Sequence, residues 1–192
     1  MSAMYISHDR YGAAAERIAS HCTQAIMKAD AISAILTCLV SDPTPETRIS
    51  AAECLALVVE SGDMGTLAVL VQNGLPILLQ QLTSDLISDV RRFCALAIRS
   101  CSRLYPEDVC NEDGAKVLIS SYAVDASADV RVVCTEALAH LFLHNRTCLA
   151  TAIKEHALYE VIRKRVGMYV RRLRFSDGTE DMILQVMSLM RR

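Results

Sequence analysis

The spacing of apolar segments predicts an all-α solenoid, a stack of helical units copied along the 192-residue chain. Three observations carry this expectation. Apolar helix starts recur at Ala31, Gly74, Gly114 and Ala157, in steps of 43, 40 and 43 residues. A second set of helix starts recurs near Arg48, Arg91 and Arg131 with the same steps of 43 and 40. Self-similarity at 20–50 residues is the signature of stacked repeats. The composition agrees: no Trp, three Phe, four Pro and seven Gly leave an aliphatic, small-residue core and few tight turns.

The elements follow in chain order. A short helix over Cys22–Lys28, reaching back to about Tyr11, is expected to cap the apolar end of the stack within residues 1–29. Repeats then span 30–72, 73–112 and 113–155, and residues 156–192 form a C-terminal repeat or cap, all within one domain. Each repeat closes on a short helix, over Thr66–Gln72, Glu107–Asn111 and Thr147–Lys154. Asn73-Gly74 ends one such helix, and Pro76 lies near the first turn of the next, where a missing N–H costs least. Leu75, Ile77, Leu78, Leu79 and Leu82 give that middle helix a broad apolar face. Ser88-Asp89 is expected to cap the long helix that follows.

The long helices repeat one pattern after the arginine. Three residues on stand Ala51, Cys94 and Cys134, and six on stand Cys54, Ala97 and Ala137. Seven on stand Leu55, Ile98 and Leu138, and ten on stand Val58, Cys101 and Leu141. Small residues admit close helix approach, and the larger ones fill the space between layers.

Three helices per unit of roughly 42 residues, with Gly between the first and second, resemble the armadillo repeat. GDMGTLAVLVQNGLPILLQQL (62–82) is similar to the family's passage from helix 1 to helix 2. ISDVRRFCALAIRSC (87–101) and SADVRVVCTEALAHL (127–141) are similar to its helix 3. The resemblance covers roughly residues 20–165, and the two-helix HEAT repeat is its neighbour. It implies an armadillo-type right-handed superhelix of about four repeats, with helix 3 lining a concave groove that binds a protein partner.

On that face the candidate groove residues are Glu53, Leu57, Glu60, Arg92, Leu96, Arg99, Ser100, Arg103, Glu136, His140 and Leu143. Their charges alternate, acidic on the first and third long helices and basic on the one between. Peptide-binding members such as importin-alpha carry a Trp and an Asn four residues apart on helix 3. Here those places hold Glu53/Leu57, Leu96/Ser100 and Glu136/His140, which argues against a Trp–Asn ladder gripping a basic peptide.

Net charge is −2, but residues 157–192 carry an excess of about four positive charges. Arg163, Lys164, Arg165, Arg171, Arg172 and Arg174 form a basic patch with only Tyr169 and Phe175 interleaved, thin for base stacking and for a nucleic-acid partner. The competing function is therefore a co-chaperone or regulatory subunit that grips a folded protein by its edge and basic end. Thr179–Arg191 reads as a final Met-rich helix that closes the solenoid or meets a partner, a second copy of the chain included.

No catalytic residue, metal, cofactor or small-molecule substrate is expected. Glu136, His140 and His144 share a helix face, but no H-E-x-x-H or second ligand set accompanies them. His21 and Cys22 project about 100° apart on a helix, Cys134 and His140 lie on different faces, and no P-loop, dinucleotide fingerprint or G-x-S-x-G is present. The eight cysteines lack any C-x-x-C pair and read as small core hydrophobes in a reducing compartment. The first residues lack an apolar signal core, and no apolar run approaches the length of about 18 that spans a bilayer. A cytoplasmic protein is expected, with nuclear or cytoskeletal association as alternatives.

Overall fold

The computed structural model describes residues 25–26, 31–145 and 148. Among the described residues there are eight α-helices and no strand. They are α1 (Ile32–Ser41), α2 (Pro45–Glu60), α3 (Asp63–Val71), α4 (Gly74–Ser84), α5 (Ser88–Leu104), α6 (Pro106–Asn111), α7 (Gly114–Val124) and α8 (Ala128–His144).

The period read from the sequence is the period of the architecture. The middle helices α1, α4 and α7 stack in one row, and the long helices α2, α5 and α8 stack in a second. The short helices α3 and α6 connect one unit to the next. Arg48, Arg91 and Arg131 each stand three residues inside a long helix, so they occupy equivalent places in successive layers. The expected short helix at Thr147–Lys154, the helix start at Ala157, the N-terminal cap and the C-terminal repeat lie outside the described residues, apart from the helical residues Ala25, Ile26 and Cys148.

Stacking supplies the core that no single hairpin can enclose. Of the twelve long-helix positions picked out by periodicity, all but Cys54 are buried. Leu39, Leu55, Leu78, Leu82, Ile98, Leu118, Leu138 and Leu141 form its largest enclosed side chains. Phe142 is the one ring wholly within this cluster, so the core is aliphatic among the described residues.

Entry into each middle helix depends on a missing side chain. Asn73 and Asp113 adopt left-handed conformations, with φ of 58° and 56°. Both residue types tolerate that region through local hydrogen bonding. Gly74 and Gly114 follow. A methyl group built on them would meet the carbonyl oxygens of Val69 and Val109 at 2.8 and 2.6 Å.

The turn into each long helix is built differently from the sequence expectation. Ser88 lies within the first turn of α5, its N-cap is Ile87, and no side chain caps that end. Asp85 takes the role three residues earlier: its Oδ1 accepts the Ile87 N–H at 2.8 Å. Asp42 and Asp125 take the N–H groups of Thr44 and Ser127 at the same distance, 2.8 Å. An aspartate two residues before the extended residue forms a closed turn that Ser88 cannot reach.

These aspartates also join the layers. The Nε of Arg48 donates to Asp85 Oδ2 at 2.7 Å, and the Nε of Arg91 donates to Asp125 Oδ2 at 2.7 Å. Each arginine reaches back with Nη1 to the carbonyls of its own turn: Arg48 to Asp42 at 3.0 Å, Arg91 to Asp85 at 2.9 Å, Arg131 to Asp125 at 2.7 Å. One guanidinium, in Arg48 and again in Arg91, therefore fastens a turn to itself and to the turn of the next layer.

The cysteines divide. Cys94, Cys101 and Cys134 are buried core residues, as expected, whereas Cys38 is exposed. The expectation of thiols without a crosslink is corrected at one place. Cys110 on α6 is disulfide-bonded to Cys148, with the Cα atoms 6.0 Å apart. Their separation of 38 residues gives no hint of pairing in a sequence, because proximity comes from stacking of one layer on the next.

Candidate functional site

The long helices bring acid and base together in register. Glu60 is the last residue of α2, Arg99 opens the fourth turn of α5, and Glu136 lies in the third turn of α8. Arg99 Nη2 donates to Glu60 Oε1 at 2.5 Å, and Arg99 Nη1 donates to Glu136 Oε2 at 2.8 Å. The alternation of sign seen along the sequence thus becomes a bridge over three successive layers. Burial disfavours the Arg99 charge, but Glu136 and Glu60 more than offset it and hold the guanidinium firmly protonated.

Beside this bridge opens a cavity of about 360 Å³, lined by Glu60, Arg99, Ser100, Arg103 and His140. Helical spacing explains the set. Arg103 follows Arg99 by one turn on α5, and His140 follows Glu136 by one turn on α8. Ser100 is only 4% exposed, so its hydroxyl forms the inner wall. Burial, then Arg103, His144 and Arg99, push the His140 imidazole below its ordinary pKa, with Glu136 opposing. At neutral pH His140 therefore presents one N–H donor and one ring-nitrogen acceptor.

All five lining residues belong to the candidate groove set. The rest of that set divides. Glu53 and Leu57 are exposed on α2, up to two turns before Glu60. Arg92 pairs locally with Asp89 at 3.5 Å and lies over the Phe93 ring at 4.2 Å, away from the bridge. Leu96 is half-buried and packs on the core. Leu143 is corrected outright: at 8% exposure it is a core residue, because α8 is covered on more of its circumference than α2. The basic patch Arg163, Lys164, Arg165, Arg171, Arg172 and Arg174 and the Met-rich C-terminal helix lie outside the described residues.

Sequence reasoning used the arginines at 48, 91 and 131 as register marks and missed their partners. The signal was present: an aspartate stands six residues before each, at Asp42, Asp85 and Asp125.

Chemistry of other kinds finds little footing in the described residues. Among them, no group of three or more His, Cys, Asp or Glu side chains is placed to hold a metal ion. Burial pushes the Cys101 and Cys134 thiols up to about 12, with nearby Asp108 and Asp125 adding to it. Neither thiol is a ready nucleophile. No helix among the described residues is long and apolar enough to cross a membrane.

Comparison with known proteins places the fold. A HEAT repeat family model matches residues 31–62, the α1–α2 hairpin. No curated protein matches the chain. Among solved structures, a designed armadillo repeat protein in complex with the peptide (KR)4 is similar over 77% of this chain and 63% of that one, with a TM-score of 0.67 and 20% identity. The match thus spans under two thirds of that design's length. An engineered protein is similar over 92% of this chain and 87% of that one, with a TM-score of 0.68 and 16% identity. Computationally designed armadillo repeat proteins for modular peptide recognition match 77% of this chain and 63% of theirs, with a TM-score of 0.66 and 20% identity. The chain has the fold of the armadillo and HEAT class of helical repeats. The family model covers a two-helix hairpin, and the short helices α3 and α6 are the third helix that the armadillo pattern adds.

Proposed function

We propose that this armadillo-type solenoid is a non-catalytic protein-interaction module that holds a segment of a protein partner along the face of its long helices. One observation carries the reading. The polar cavity described above is lined by all three long helices, where an ion-pair bridge locks their register. Three layers at a regular step present side chains at intervals that suit an extended peptide. Two of the similar structures support the reading, one solved with a peptide and one made for peptide recognition. The residues on this face differ from the Trp–Asn pattern, so the partner is read by charge and hydrogen bonding.

Site-specific photo-crosslinking tests this. A benzophenone side chain at Leu57, exposed beside Glu60, should crosslink to one defined segment of a partner in a native extract. The same probe at Lys116, exposed on the middle helix α7, should not. Arg103→Glu should abolish capture at Leu57. Equal capture by the two probes would remove the long-helix face from the account. Capture that ignores Arg103→Glu but disappears on charge reversal at Arg171, Arg172 and Arg174 would replace it with a folded partner gripped by the basic end.

A further inference from the structure

We infer that the cavity lined by α2, α5 and α8 is an anchor for one carboxylate side chain of the partner, so that the bound segment is acidic at that point. This rests on the peptide-binding reading above and names the chemistry of its central contact. The charges around the cavity are unequally engaged. Arg99 already serves Glu60 and Glu136, two carboxylates that offset its positive charge toward any ligand. Arg103 is exposed on the cavity wall and makes no ion pair or hydrogen bond with any described residue. Among the described residues its guanidinium is the one unpaired full charge there, and a carboxylate can take two of its N–H groups side by side. The buried Ser100 hydroxyl and the half-buried His140 ring add hydrogen-bonding groups on the other walls.

The remaining features select among occupants. A volume of about 360 Å³ is at the small end of ligand sites, enough for an Asp or Glu side chain with its flanking backbone. Glu60 on the rim stands against a phosphate dianion, which would bring a second negative charge beside it. Arg103, with Arg99 behind it, stands against a lysine or arginine at the same point.

The charges that face His140 give the anchor a pH signature. They are Arg103, His144 and Arg99, which disfavour the imidazolium, and Glu136, which favours it. A carboxylate bound at Arg103 neutralises part of the first set and raises the His140 pKa. Binding then takes up a proton, so affinity weakens as pH rises through the bound-state His140 pKa, strengthens as pH falls through it, and levels off below the free-state value.

The test begins with selection of random dodecapeptides displayed on phage against the full chain, followed by anisotropy measurements on the enriched sequences as labelled peptides. The enriched peptides should share an Asp or Glu at one fixed position. Arg103→Gln should weaken their binding about tenfold, and replacing the shared acid by its amide should do the same, without an added loss in the Arg103→Gln variant. His140→Gln should leave binding measurable and remove its rise at low pH. Circular dichroism checks that both variants keep the fold. Peptides that compete with crosslinking at Leu57 but share a basic or phosphorylated residue, or that ignore Arg103→Gln, overturn the carboxylate anchor and leave the groove standing. Peptides that bind without competing at Leu57, or no enrichment at all, count against the groove itself.

Discussion

Gly74 and Gly114 show how much a single absent methyl group settles. Each sits where the chain leaves a left-handed residue and starts a middle helix against the carbonyl of a valine five residues back. Backbone cannot rotate away as a side chain would, so Ala at either position forces the short helix outward. Gly74→Ala and Gly114→Ala are each expected to destabilise by about 1–3 kcal/mol, read from urea unfolding midpoints, although Ala is the better helix former. Unchanged or raised stability would show that the short helices yield freely. These glycines were legible as punctuation in the sequence, because Asn-Gly and Asp-Gly recur at the repeat step. Their left-handed neighbours fit the same signal. Other residue-level facts were hidden. Ser88 offers the same capping oxygen as countless helix starts, and only the turn geometry shows that Asp85 takes the N–H first. Leu143 lies on the periodic stripe that includes His140, yet it is buried, and spacing along one helix does not carry that information.

At the scale of elements, the long helices are positioned by a repeated clasp. Asp125 accepts from Arg91 at 2.7 and 3.0 Å and from the Ser127 N–H at 2.8 Å, with 6% of its side chain exposed. Asp125→Ala removes three hydrogen bonds at once and leaves Arg91 with only the carbonyls of its own turn. A loss of about 2 kcal/mol is expected, below the figure for a wholly enclosed pair because the guanidinium keeps some contact with water. Urea unfolding at neutral pH checks it. The pH dependence has a definite sign. The hydrogen bond from Arg91, against burial, holds the Asp125 carboxyl below its ordinary value. Burial pushes the Asp85 carboxyl up, but Arg48 and the Ile87 N–H outweigh it, so Asp85 is lowered as well. A lowered folded-state pKa means the contribution is complete above the ordinary carboxylate range and fades as pH falls below about 4. The acid limb of the stability profile should therefore be shallower in Asp125→Ala than in the parent; parallel limbs would remove the clasp as its cause.

The link between α6 and Cys148 is a second element-scale restraint. It closes a loop of 38 residues, which contains the whole of α7 and α8. Restricting such a loop in the unfolded chain is worth about 2–4 kcal/mol. Cys110→Ser should lower the unfolding free energy by that amount under oxidising conditions and by far less when both proteins carry a phosphine reductant. A loss that is the same with and without reductant would assign the effect to packing. The sequence was misleading here for a physical reason. Nothing local in the sequence distinguishes the bonded Cys110 and Cys148 from the core thiols Cys94 and Cys134.

The described residues form a line of layers in which each long helix rests on its neighbours. That much was readable in advance, because a repeat step shared by two helix types fixes both rows at once. The cavity was readable only as a list of exposed positions. Periodicity placed Glu60, Arg99, Ser100, Arg103 and His140 on one side, but their convergence depends on the angle between layers, which no spacing encodes. The same architecture predicts how damage spreads. Leu55 in α2 and Leu138 in α8 are enclosed, at 0% and 1% exposure, and α5 stands between their helices. Leu55→Ala and Leu138→Ala should each cost about 2–5 kcal/mol. Because each cavity relaxes into its own interlayer space, the double variant should lose the sum to within about 0.5 kcal/mol. Ile98 in α5 is enclosed at 0% exposure in the layer that touches both, so Ile98→Ala combined with either should depart from the sum by more. Denaturant unfolding of the three single and three double variants decides the matter. If Leu55 and Leu138 prove as strongly coupled to each other as either is to Ile98, the core is one shared interior, and the layered description of this fold fails.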